Sequence, residues 1–271
     1  MPVRMLAGQE TKLARTMHDI RYDARHDEIY VTNPYAQAVL VFRGNASGNE
    51  APIRIIQGSK TQIGSVDRLD MDPVHDEIVV PNDDSVLVFP RTATGNVEPL
   101  RVMEGPNTGL HLATTLSVDP VHNLIVVGLN KTGSAIKKTA DGTLTAKSTG
   151  QDGALLVFNR TDNGNVKPRN VIRGPKSGIV RITQMALNPA RNLIVATQPG
   201  EVSDMEPEGA FVGVWNMDDN GDVPPLWRIN TGAKSTMLKP RGVVLDPKNK
   251  EMIVADMRLN AILTFYFPEI F

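Results

Sequence analysis

The 271-residue sequence contains no cysteine, which excludes disulfides, thiolate nucleophiles and Cys-ligated zinc together. Aromatic residues are scarce at 5%, and 30 acidic side chains nearly cancel 29 basic ones, for a formal charge of −1. That balance gives no electrostatic reason to expect nucleic acid or an anionic membrane as a partner. No run approaches the ~18 consecutive apolar residues of a spanning helix. Gly-x-Ser-x-Gly, His-Glu-x-x-His and a phosphate-cradling glycine loop are all missing. Met1 is followed directly by repeat sequence, with no basic-then-apolar signal segment. The expectation is a cytosolic protein, or one whose secretion signal lies outside this sequence.

What the chain does contain is one phrase repeated about five times. An acidic turn recurs as Asp23-Ala-Arg-His26, Asp72-Pro-Val-His75, Asp119-Pro-Val-His122, Asn188-Pro-Ala-Arg191 and Asp246-Pro-Lys-Asn249, at intervals of 49, 47, 69 and 58 residues. Periods of roughly 40–50 residues mark propellers or solenoids. Between the turns the apolar residues come in short runs rich in Val and Ile, bounded by Gly, Asn, Asp and Pro. They do not recur at helical spacing, and so they read as strands. In the second repeat the runs are about 66–71, 77–81, 84–90 and 98–103, here termed strands A to D. The C–D link carries Gly48-Asn49, Gly95-Asn96, Gly164-Asn165 and Gly221-Asp222, read as tight turns that use positive φ.

Four-stranded antiparallel units arranged radially are propeller blades. The sequence predicts an all-β chain, a single five-bladed β-propeller domain over 1–271. The blades span about 17–57, 65–104, 113–173, 181–230 and 240–267. Residues 2–6 supply the missing D strand of the last blade, pairing near Ile262–Phe267. Phe42, Phe89, Phe158, Trp215 and Phe265 recur at the end of strand C, a position expected to pack between blades.

The Asp-Pro-x-x-x-x-Ile-x-Val phrase with its following Val-Phe strand resembles the NHL and SMP-30/gluconolactonase-like propeller repeats. The longer phrase from Val157-Phe158 through Gly164-Asn165-Val166 to Gly174-Pro175 is similar to repeats of exported bacterial propellers, mostly of unassigned function. The resemblance implies an extracellular or periplasmic protein. The blade number departs from the six usual in those families. It is specific for fold and weak for activity, because propellers host unrelated functions.

In a propeller the D–A and B–C connections share one face, where a pocket forms. The polar residues expected there are His18, Asp19, Asp67, Arg68, Gln184 and Arg241 at A-strand entrances, and Asn33, Asn82, Gln198 and Asp256 at B-strand exits. The first reading is a non-catalytic module that recognises a protein partner or small ligand at this mouth, with no cofactor. The rival, taken from the resemblance, is a metal-dependent hydrolase or lactonase holding calcium or magnesium on Asp19, Asn33, Asn82 and Asp256. His18 would be its base. Arg68 and Arg241 at the same level oppose a cation and equally suit a carboxylate or phosphate ligand. A lyase of the virginiamycin-inactivating propeller type has no residue signature here. His26, His75 and His122 fall in A–B turns on the opposite face and read as turn residues.

Two B–C loops are long: 130–153, with Lys131, Lys137, Lys138, Lys147 and an Asp141-Gly142 hairpin turn, and 198–209, with Glu201, Asp204, Glu206 and Glu208. They read either as solvated loops or as a lid or docking surface.

Overall fold

The computed structural model describes residues 2–64, 66–130, 153–200, 209–232 and 234–271, together with the backbone of 134–138 and 144–148. The fold is a five-bladed β-propeller. The first sheet comprises β1 (Ile20–Asp23), β2 (Glu28–Asn33), β3 (Ala38–Arg43) and β4 (Arg54–Gln57). The second comprises β5 (Asp70–Asp72), β6 (Glu77–Asn82), β7 (Ser85–Pro90) and β8 (Arg101–Glu104). The third contains β9 (Ala113–Asp119) and β10 (Leu124–Leu129), and, after a separate hairpin of β11 (Ser134–Lys138) and β12 (Leu144–Ser148), β13 (Ala154–Asn159) and β14 (Asn170–Ile172). The fourth holds β15 (Gln184–Asn188), β16 (Leu193–Gln198), β17 (Phe211–Asn216) and β18 (Trp227–Asn230). The fifth has three strands, β19 (Pro240–Asp246), β20 (Glu251–Asp256) and β21 (Ala261–Tyr266). The chain divides into two compact units, 1–124 with 160–167, and 125–159 with 168–271.

The acidic turns form for a local reason. In Asp23, Asp72 and Asp119, one carboxylate oxygen accepts the N–H groups two and three residues on, while the other accepts the histidine Nδ1 at 2.6–2.7 Å. These three carboxylates are buried, so the side chain replaces the water that the turn amides would otherwise require. Asn249 Nδ2 does the same for Asp246 in the fifth repeat. The histidines are therefore turn residues, as their repeated position suggested.

In the first unit, Tyr30, Val39, Val41 and Ile56 of the first sheet pack with Leu69, Met71, Ile78, Val80, Leu87 and Phe89 of the second region. Each such side chain contributes about 1.5–3 kcal/mol when fully buried. Phe42, Phe89, Phe158 and Trp215 are all buried, and Phe265 is half-buried in the core of the fourth and fifth sheets. That agrees with a packing role for the aromatic at the end of each third strand.

The Gly-Asn segments correct the turn reading. Their glycines do have positive φ, from 66° to 85°, but each reaches sideways to the fourth-strand position of the preceding repeat. Gly95 accepts from Gln57 N–H at 3.1 Å and donates to the Ile55 carbonyl at 2.6 Å. Gly164 makes the same pair with Glu104 and Val102, and Gly221 with Arg173 and Val171. The next side chain then caps the following connection: Asn96 accepts Lys60 N–H, Asn165 accepts Asn107 N–H and Asp222 accepts Lys176 N–H, each at 2.7 Å. Gly58, Gly105 and Gly174, at φ 111–127°, leave the room that these side chains fill.

The N-terminal segment takes the fourth-strand position beside Gly48. Leu6 bridges Gly48 of the first sheet in parallel, Arg4 donates to the Gly44 carbonyl at 3.1 Å, and Asn49 accepts Glu10 N–H. The segment thus makes toward the first sheet the contacts by which β4 and β8 reach forward to the next repeat.

A carboxylate under two guanidinium groups recurs in the first unit. Glu28 Oε2 accepts Arg54 at 2.7 Å, Arg91 at 3.0 Å and the Tyr30 hydroxyl at 2.6 Å. Glu77 accepts Arg101 through both oxygens at 2.8 Å and Arg160 at 2.9 Å. Burial pushes the Glu28 pKa up, but the bonds from Arg54, Tyr30 and Arg91 overcome it and hold the carboxyl at about 2, below its ordinary 4.5. A depressed carboxyl pKa contributes stability in full above the unfolded value, and that contribution is lost as pH falls through the folded value. Glu28→Gln is therefore expected to lower stability on the order of 2–3 kcal/mol at pH 7. It should also flatten the loss of melting temperature between pH 4.5 and about 2, measured by calorimetry across that window.

Candidate functional site

The expected mouth residues fall in both units, and most are engaged by the fold itself. In the first unit His18 Nδ1 lies 2.8 Å from Asp67 Oδ1, both groups partly exposed, and the Arg68 guanidinium donates to the His18 carbonyl. Asp19 is buried; it accepts Arg21 Nη1 and the Leu69 N–H, both at 3.2 Å. Burial raises its pKa above the ordinary aspartate value, against the attraction of Arg21 and Arg68. Arg21 also lies 3.5 Å from Asp70, which in turn accepts Ser117 Oγ and Val118 N–H. A ladder of alternating charges thus runs across these first strands.

The B-strand exits share a different task. Asn82 Oδ1 accepts Gly64 N–H at 2.7 Å, and its Nδ2 donates to the Gln62 carbonyl and Ser85 Oγ. In the second unit, Gln198 Oε1 accepts Val180 N–H at 2.6 Å, while its Nε2 donates to the carbonyls of Gly178 and Gly209. Asp256 takes Leu238 and Lys239 N–H on one oxygen at 2.7 and 2.8 Å, and Arg258 and Leu259 N–H on the other at 3.0 Å. In all three the clamp reaches back 18 residues to the connection entering its own sheet. Asn33 contacts the Lys12 carbonyl and Ala36 N–H more loosely, at 3.5 and 3.3 Å. Gln184 Oε1 accepts Val243 N–H, and Arg241 lies half-buried on β19 with a partner of its own.

These oxygens hold backbone amides whose alternative is an unsatisfied buried donor. Among the described residues, no three His, Asp or Glu side chains are arranged to share one metal ion. The lysines and acids of the two long B–C loops lie outside the described side chains. Within the 130–153 loop β11 pairs with β12, and the expected Asp141-Gly142 turn lies outside the described residues.

What repeat reasoning missed is an acidic cleft in the first unit. A cavity of about 670 Å³ is lined by Gly64, Asn82–Ser85, Glu104–Pro106 and the Gly164-Asn165 segment. Connections entering and leaving the second sheet and its β6–β7 turn build most of it. Asp83, Asp84 and Glu104 line it and form no ion pair among the described residues. Asp83 sits at φ 52° in the β6–β7 turn, a conformation that aspartate tolerates better than most residues. Its pKa is raised, first by burial and then by the negative charges of Asp84 and Asp67. The Asp83-Asp84 doublet is visible in the sequence, but no other blade carries one at its B–C turn, so the repeat does not point to it.

No protein-family model matches the chain, and no curated protein matches it. The fold and its local chemistry therefore carry the functional argument.

The clamp role yields a direct expectation for Asp256. Asp256→Ala removes the acceptor of four backbone N–H groups, at a cost on the order of 3 kcal/mol. The melting temperature should fall by roughly 6–12 °C. Differential scanning calorimetry should give the same drop in calcium and in chelator.

Proposed function

We propose that this propeller is a non-catalytic binding module, and that the cleft on its second sheet recognises a cationic ligand or a basic segment of a protein partner. The observation that carries this reading is the set of three carboxylates, Asp83, Asp84 and Glu104, around one cavity, with no ion pair to them among the described residues. Burial first, and then the repulsion of the Asp84 and Asp67 charges, raises the pKa of Asp83. An incoming ammonium or guanidinium group relieves that repulsion and gains charge-assisted bonds. The rigid sheets behind the cleft keep its carboxylates in place before the ligand arrives, which reduces the ordering cost of binding.

The test is titration calorimetry with a lysine- and arginine-rich peptide at low and high salt. Saturable binding that weakens with salt, and at least tenfold on replacing Asp83 and Asp84 together by Asn, supports the reading. Binding that is absent, or indifferent to the double variant, contradicts it.

One observation favours a second reading, a metal-dependent hydrolase of the SMP-30/gluconolactonase-like kind. His18 is held by Asp67 at 2.8 Å, an arrangement that orients an imidazole as a general base. Its metal would be calcium or magnesium on Asp19, Asn33, Asn82 and Asp256. This reading requires those oxygens to release the backbone amides that they now hold, which weighs against it. It predicts that calcium or magnesium raises the melting temperature and that chelation reverses the effect; an unchanged melting temperature removes it.

A further inference from the structure

One guanidinium in the second unit stands without an acceptor. Arg173 Nε and Nη2 are buried without a hydrogen-bond partner, and no ion pair reaches the group among the described residues. Arg54 and Arg101 also leave Nε unbonded, but their Nη groups are held by Glu28 and Glu77. The strand ladder departs from the repeat at the same place. β3–β4, β7–β8 and β17–β18 each pair four residues, ending at Ala38–Gln57, Ser85–Glu104 and Phe211–Asn230. β13–β14 pairs three, and among the described residues the fourth pair, Ala154 with Arg173, is not made.

Glu104 and Arg173 hold the same place in the inter-sheet staple, donating their N–H groups to the Gly164 and Gly221 carbonyls at 3.2 and 3.1 Å. One repeat position thus carries opposite charge in successive sheets. Ser85 stands opposite Glu104; Ala154, at the Ser85 position of the third sheet, has no side-chain acceptor to offer Arg173. The Asp222 carboxylate lies against the neighbouring Gly174, but its Oδ1 takes the Lys176 and Ser177 N–H groups.

Two independent observations therefore meet at one residue: a buried pair of donors and a ladder that opens beside them. The two donors share one edge of the guanidinium plane, so their N–H bonds run parallel. Arg43 shows this edge in use, with Nε and Nη2 on Glu50 Oε1 at 3.0 and 2.7 Å. Such an edge is costly to withdraw from water without an acceptor. A carboxylate or phosphate presents two oxygens at the matching spacing. We infer that the Nε–Nη2 edge of Arg173 binds the carboxylate or phosphate group of a small ligand, between the start of β13 and the end of β14. A neutral ligand leaves the charge uncompensated, and a cation is repelled. This site is separate from the acidic cleft, and its test does not depend on that proposal.

The probes are inorganic phosphate and acetate, each compared with chloride at equal ionic strength. In the intact, isotope-labelled protein the Arg173 Nε–H resonance should shift saturably, and the anion that saturates at the lower concentration identifies the group. The melting temperature should rise by roughly 3 °C or more when that anion stands at ten times its Kd. Arg173→Lys keeps the charge but not the edge, and should bind at least tenfold more weakly. Arg173→Met should lose the response to both anions. If that variant does not fold, the resonance titration on the unaltered protein decides alone. No saturable shift with either anion overturns the inference, as does an equal melting response in Arg173→Met.

Discussion

The staple between successive repeats is the constraint on which the rest of the structure depends. A four-stranded sheet has two apolar faces and two open edges, and neither is stable alone in water. Burial of Tyr30, Val39 and Val41 against Leu69, Met71 and Phe89 supplies attraction between sheets but little direction, because apolar contact is non-directional. The two backbone bonds at Gly95, Gly164 and Gly221 supply direction. They fix the height of each repeat against the one before, and the following Asn or Asp pins the connection that enters the next sheet. Net energies of about 1 kcal/mol per bond are small beside the core. Their effect is to select one register from several that apolar packing alone would tolerate.

The candidate site follows from that fixed register. The connections that enter and leave each sheet are tied down twice, by the staple at one end and by Asn82, Gln198 or Asp256 at the other. Polar side chains at B-strand exits are thereby consumed in building the rim. Recognition is left to residues that the repeat does not require, and Asp83, Asp84 and Glu104 are such residues. The His18–Asp67 pair is another non-repeated feature, which is why it sustains a second functional reading.

Much of the architecture was legible because it is local. Period-two apolar runs marked the strands, and Asp23-x-x-His26 and its copies marked the turns that close on their own side chains. The N-terminal segment was legible by the same token: Pro2-Val3-Arg4-Met5-Leu6 has the residue types of a fourth strand and occupies that position relative to the first sheet. Gly-Asn was read as a turn because positive φ is a local property, whereas its bridge to a strand about 40 residues earlier is not. The constant 18-residue reach of the rim clamps was present in the repeats and would have separated framework from ligand groups. The acidic cleft was obscured because it belongs to one blade alone.

The most direct measurement of this account is native-state hydrogen exchange at the staple glycines. The amides of Gly95, Gly164 and Gly221, though they lie in connections between strands, should exchange as slowly as those in the interior of β3 and β7. Exchange at the rate of ordinary surface loops would contradict the claim that these segments hold the repeats in register.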